Sequence, residues 1–90
     1  MMYPLITFND NTEITHSEIL KDGTVEVYVE TPDKHDGFHH LKCYIPGYKI
    51  AEVNGYTDSE VAKYMKEIRK MAHLIIRFAR GGGFENAPII

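Results

Sequence analysis

The densest run of chemically capable side chains is His35-Asp36-Gly37-Phe38-His39-His40, with Cys43 three residues further on. Imidazole and thiolate are good zinc ligands, and a loop running into a strand can present them together. On a strand, however, His39 and His40 project from opposite faces, and Cys43 shares the face of His39. No second ligand pair of zinc-site spacing follows, and Cys43 stands where a small core hydrophobe belongs. His35, His39, His40 and Cys43 are thus the candidate metal ligands. The reading adopted is no metal, with these residues in ordinary surface and core places.

Nucleophilic chemistry would need Cys43 beside a base such as His16, His39 or His73 in space. A reactive cysteine wants an exposed, electropositive setting, and this one falls mid-strand on the apolar side. The chain has no Gly-x-Ser-x-Gly elbow and no paired acidic motif. Gly81-Gly82-Gly83 invites a phosphate-loop reading, but such loops precede a helix, where free N–H groups and the positive dipole end face the anion. These glycines follow one. No catalytic residue and no cofactor is assigned, and the chain is read as not an enzyme.

The element that must position all of this is the run from Thr57 to Arg80. Thr57-Asp58-Ser59-Glu60 is a capping box, with Tyr56 and Val61 at the flanking staple positions. At 100° per residue Val61, Tyr64, Met65, Ile68, Met71, Ala72, Ile75, Phe78 and Ala79 share one side, an arc of roughly 160° that suits packing on a sheet. Gly81 follows as the stop, where a left-handed residue is common. Lys63, Lys66, Lys70, His73 and Arg77 share the polar side. They could follow a nucleic-acid backbone, yet Glu67 interrupts them and the pI is about 5.9, so a solvated helix face is expected. Leu74 is the one apolar member of that sector.

Ahead of the helix the pattern is an antiparallel meander. Leu5 to Phe8 is followed by the turn residues Asn9-Asp10-Asn11. A strand from Thr12 to Leu20 reaches Asp22-Gly23, a hairpin signal. Ile14 and Ile19 are five apart, so a bulge is expected within Thr15 to Glu18. Thr24 to Thr31 sets Val25, Val27 and Val29 on one face and Glu26, Tyr28 and Glu30 on the other. After a loop over Pro32 to Gly37, Phe38 to Ile45 puts Leu41, Cys43 and Ile45 inward and His40, Lys42 and Tyr44 outward. A loop centred on Lys34 would set Val27 opposite Leu41, Val25 opposite Cys43 and Glu26 opposite Lys42. Pro46-Gly47 makes a turn, and Tyr48 to Val53 forms a short edge strand.

Ninety residues give a single domain with a modest core. We expect an α+β, two-layer domain over residues 1–83, a four- to five-stranded antiparallel meander with one C-terminal helix on one face, and a tail over 84–90 whose Ile89-Ile90 could dock on a neighbouring surface. A lone cysteine, no apolar run near membrane-spanning length and no basic leader point to a soluble cytoplasmic protein without membrane contact. Charge is split: residues 1–56 hold four basic and nine acidic side chains, whereas 57–80 hold six basic and three acidic.

The order Pro4-Leu5-Ile6-Thr7-Phe8, an Asx turn, Thr12-Glu13-Ile14 and a capped C-terminal helix resembles small uncharacterised proteins of gut Firmicutes and their mobile elements, a likeness that implies no function. Pro46-Gly47, Gly55 and Thr57-x-x-Glu60 are similar in order to antitoxins of the HicB type. The Asp-Gly-Gly-Tyr and Pro-Gly-Cys elements of that family are missing, and no strand follows the helix. The functional expectation is a protein-interaction or regulatory module. The alternatives are an acidic decoy or antitoxin-like inhibitor of a partner, and a small metal-binding protein using the segment from His35 to Cys43. Nucleic acid is not the expected partner. A homodimer is expected over the outer sheet face, with Tyr28, His40, Lys42, Tyr44, Glu26 and Glu30 as the contact candidates.

Overall fold

Alternation of apolar and polar residues assigns each strand two faces, and the folded chain uses both. The structure, a computed structural model, describes residues 2–35 and 37–81. It contains β1 (Tyr3–Thr7), β2 (Glu13–His16), β3 (Val25–Asp33), β4 (Gly37–Ile45), β5 (Lys49–Asn54) and α1 (Asp58–Arg80). The five strands form one antiparallel sheet in the order β1-β2-β3-β4-β5. The helix packs on one face, so the fold is an α+β meander in two layers. The expected tail over 84–90, with Ile89-Ile90, lies outside the described residues, as do Gly82 and Gly83. No described helix is long and apolar enough to cross a membrane.

The inner face is built of rows that run across the sheet. One row is Ile6-Ile14-Val29-Leu41-Val53 and the next is Tyr3-His16-Val27-Cys43-Ile50. Val25, Val27, Val29, Leu41, Cys43 and Ile45 are fully buried, as are Ile68 and Ile75 of the helix above them. Met65 is also buried and Ala72 half-buried, so the expected helix face covers the expected strand face. Leu74 is half-buried rather than exposed.

The strands differ from the expected pattern in two places. The β3–β4 register is Val25 to Ile45, Val27 to Cys43 and Glu26 to Tyr44, not Val27 to Leu41, Val25 to Cys43 and Glu26 to Lys42. The strands extend into the expected loop, with Pro32 opposite Phe38 and Asp33 opposite Gly37, so the turn centres on His35. The shift is two residues, an even number, and every side chain therefore keeps its face.

The second difference lies in residues 12–20. β2 ends at His16, and no bulge over Thr15 to Glu18 is needed to bring Ile19 inward, because Ile19 lies outside the sheet and is exposed. Ser17 closes the ladder instead: its N–H donates to the Glu26 carbonyl at 2.9 Å and its hydroxyl accepts from the Glu26 N–H at 2.9 Å. The irregular pairings fall at Leu5 in β1 and at Ala51 in β5, on the two edge strands, where bulges commonly occur.

The helix ends behave unequally. The Thr57 hydroxyl accepts from the Glu60 N–H at 3.2 Å, and the Glu60 carboxylate accepts from the Thr57 N–H at 2.9 Å, completing the capping box. At the other end Gly81 is not left-handed, with φ of −87°. Its N–H is shared between the carbonyls of Arg77 at 3.2 Å and Phe78 at 3.1 Å, a bifurcated ending that any residue could adopt.

Gly55 is the position where glycine is required twice over. Its φ is +89°, and a Cβ there would overlap the imidazole of His39. Gly55→Ala is expected to cost about 1–3 kcal/mol, from strain and lost packing together. Val27→Asp, which buries an unpaired carboxylate, should abolish the cooperative unfolding transition altogether. Thermal denaturation followed by circular dichroism separates the outcomes: a wild-type midpoint for either variant contradicts the packing described.

Candidate functional site

The metal-ligand candidates are scattered by the β3–β4 hairpin that carries them. His39 lies on the inner face at the end of the sheet, edge-on to Tyr56 with ring centroids 5.7 Å apart and its Nε2 3.6 Å from an Asp33 carboxylate oxygen. His40 lies on the outer face, stacked on Tyr28 at 5.8 Å and bonded through Nε2 to Glu52 at 2.6 Å. His35 is exposed in the hairpin turn, with its backbone N–H donating to Asp33 at 2.8 Å. Cys43 is fully buried under the helix, where loss of solvent pushes its thiol up to about 11. That shift runs opposite to the lowered value that activates a cysteine nucleophile. No group of three or more His, Cys, Asp or Glu able to share a metal ion occurs among the described residues.

What the sequence divides between strands, the sheet assembles on its outer face. The ladder sets Glu13, Glu30, His40 and Asn54 in one row and Thr15, Tyr28, Lys42 and Glu52 in the next, with Glu26, Tyr44 and Lys49 below. Part of this surface is satisfied internally. The Glu52 carboxylate lies 2.6 Å from His40 and 3.8 Å from Lys42, and the Tyr44 hydroxyl donates to Glu26 at 3.3 Å. Glu13 and Glu30 stand directly opposite one another, and the Tyr28 phenol interacts with the Glu30 carboxylate. Neither has an ion pair among the described residues. Like charges so placed destabilise a sheet. Burial first, and then the carboxylates of Glu30, Glu52 and Glu26, hold the Tyr28 phenol above its ordinary value. The patch is acidic, with aromatic surface at Tyr28 and Tyr44 and with an exposed Phe38 at its upper end.

A second cluster escaped the sequence reading. At the end of the sheet nearest the helix start, the Thr12 and Thr31 hydroxyls are 2.6 Å apart, Thr31 is 2.7 Å from the Tyr56 hydroxyl, and Thr12 is 3.4 Å from that of Tyr64. These four residues come from the β1–β2 connection, β3, the β5–α1 connection and α1. Only register brings Thr12 opposite Thr31, so spacing along the chain gives no sign of it. Burial pushes Tyr56 up to about 12. Beside the cluster a cleft of about 360 Å³ is lined by Phe8, Asn9, Asp10, Lys63, Tyr64 and Glu67. Lys63 already lies over the Tyr64 ring at 5.2 Å, and hydrogen bonds from Thr12 keep the Asp10 carboxyl below its usual range. The hydroxyls satisfy one another, and their evident work is to tie the helix start to the sheet.

His16 is likewise a core residue that the strand pattern concealed. It is fully buried, and its Nδ1 lies 2.9 Å from the Ser17 carbonyl, which requires Nδ1 to carry the proton. Lys63, Lys66, Lys70, His73 and Arg77 are all exposed on α1, opposite the acidic sheet face. The charge split along the chain is therefore a split between the two layers. No family model, no curated protein and no solved structure matches the chain.

The raised thiol and phenol give a pH dependence with a definite sign. Cys43 has an ordinary value of 9.0 and a folded value of about 11; for Tyr56 the two are 10.0 and about 12. Both groups are uncharged below those ordinary values in either state, so they leave stability unchanged there. Above pH 9 the unfolded thiol ionises first, and stability falls until the pH passes the folded values. Urea denaturation between pH 7 and 11 is expected to show a plateau and then a decline. Cys43→Ala should move the onset upward, toward the range set by Tyr56; an unchanged onset would assign the decline to other groups.

Proposed function

We propose that this chain is a non-catalytic protein-interaction or regulatory module that offers the outer face of its sheet to a basic surface of a partner protein. The supporting observation is the opposed pair Glu13 and Glu30, held together without a neutralising cation beside the Tyr28–His40 stack. A fold that tolerates such a pair gives up a few tenths of a kcal/mol to about 1 kcal/mol, which a lysine or arginine from a partner would return. The same chemistry suits an acidic decoy or antitoxin-like inhibitor, which would cover a cationic site on its target. A reducing cytoplasm is the setting a lone buried thiol fits best.

A homodimer over this face is the second reading. Phe38, Tyr28 and Tyr44 supply apolar area, and a two-fold axis could set Glu30 of one copy against a cation of the other. Glu26 and Lys42, however, already have partners within the chain, Tyr44 and Glu52. That leaves fewer charges free for a second copy than for a basic partner.

The double substitution Glu13→Gln with Glu30→Gln tests the proposal, because it should move stability and binding in opposite directions. The melting temperature is expected to rise by a few degrees, since removing the repulsion adds up to about 1 kcal/mol. Partner capture from native lysate at low salt should fall sharply, and salt should weaken the wild-type complex in the same way. A variant that melts higher yet captures the same partners equally well would sink the proposal. Sedimentation of the purified chain decides the second reading: a mass of 10.3 kDa refutes the homodimer.

A further inference from the structure

The helix is too narrow for the sheet beneath it. Strands lie about 4.8 Å apart, so five of them span about 19 Å from β1 to β5, whereas a helix with its side chains is about 10–12 Å across. The helix sits over the middle strands, and the inner-face rows fade outward from complete burial to 42% exposure at Ile50 and 43% at Val53. These two side chains share the inner face of β5, because the extra residue Ala51 restores their common side. The flank of α1 toward β5 carries a groove of about 360 Å³ lined by Ala62, Met65, Lys66 and Arg69. Arg69 lies over the Tyr48 ring at 4.6 Å, which fixes this flank of the helix beside β5.

We propose that this groove receives an amphipathic helix of a partner protein, with an apolar stripe and acidic flanks, lying beside α1 over β5. The spacing fits: β5 lies two strands from β3, about 10 Å, which is the ordinary distance between packed helices. Ala62 and the edge of the buried Met65 line the groove on the helix side, and the exposed Ile50 and Val53 stand on the inner face of the neighbouring β5. Lys66 and Arg69 stand at the rim, and neither has a carboxylate within ion-pair distance among the described residues. Charge complementarity therefore selects acidic flanks on the occupant. The bulge at Ala51 breaks the regularity of the β5 edge, so side chains rather than an added strand make the contact. The surface is on the opposite layer from Glu13 and Glu30, and it stands or falls independently of them.

The probe is a fluorescein-labelled synthetic helix with leucines at helical spacing and glutamates on both flanks, compared with the same peptide carrying lysines in place of glutamates. Anisotropy titrations of the full chain should show the glutamate peptide binding at least about tenfold more tightly. Val53→Asp should weaken it by about tenfold or more, and because Val53 is exposed the fold should persist, as circular dichroism can verify. The charge swap Lys66→Glu with Arg69→Glu should reverse the preference between the two peptides. Amide shifts in the wild type should centre on Ile50, Val53, Ala62 and Lys66. Equal binding of both peptides, binding indifferent to Val53→Asp, shifts centred on Glu13 and Glu30, or binding of neither peptide would each overturn the proposal. So would a stable dimer that places a second copy on β5.

Discussion

The structure depends on one mismatch of widths: a single helix has to cover a sheet broader than itself. Dense burial is possible only where the two overlap, and there it is complete, from Ile14 across Val27 and Leu41 to Ile45 beneath Ile68 and Ile75. Outside the overlap the same alternation continues, but its apolar side chains meet water. Ile6 and Val53 occupy the ends of a row whose middle members are fully buried. The core and the exposed edges are two consequences of that one constraint, and the outer face stays bare because the helix lies on the other.

The ends of the helix fix how it lies across the strands. The capping box on Thr57 and Glu60 starts it, and the hydroxyl cluster of Thr12, Thr31, Tyr56 and Tyr64 joins that start to the sheet. Hydroxyls suit this place because each can donate and accept, so a group buried from water need not remain unsatisfied. Gly55 allows the chain to turn over the His39 ring just before the helix begins. The far end is held less specifically, by one shared N–H at Gly81.

Electrostatics follow from the same layering. Alternation sends Glu13, Glu26, Glu30 and Glu52 to the outer face of the sheet, while the helix turns Lys63, Lys66, Lys70 and Arg77 away from it. The opposed charges thus point outward from opposite layers rather than neutralising one another inside the fold. A domain arranged in this way offers an anionic surface on one side and a cationic one on the other. Its net charge of −3 conceals both.

Faces were legible in the sequence, because a period of two or of 3.6 needs no partner to be recognised. The alternation of Val25, Val27 and Val29, the helical arc from Val61 to Ala79 and the capping box at Thr57 each lie within a few turns or pleats. Register was not legible, since the pairing of Val27 with Cys43 rather than Leu41 changes no face and leaves no local trace. The placement of His16 in the core and the opposition of Glu13 to Glu30 depend on where β2 stops, which the Ser17 hydroxyl decides by replacing a ladder carbonyl. The separation of His39 from His40 was readable from strand geometry alone, whereas their partners Asp33 and Glu52 required the folded sheet. The sequence by itself determined which side chains face together, because that is a property of one strand or one helix. Only the tertiary structure decided which of them touch and which stay uncovered, because that depends on the offset between strands and on the width of one helix laid over five.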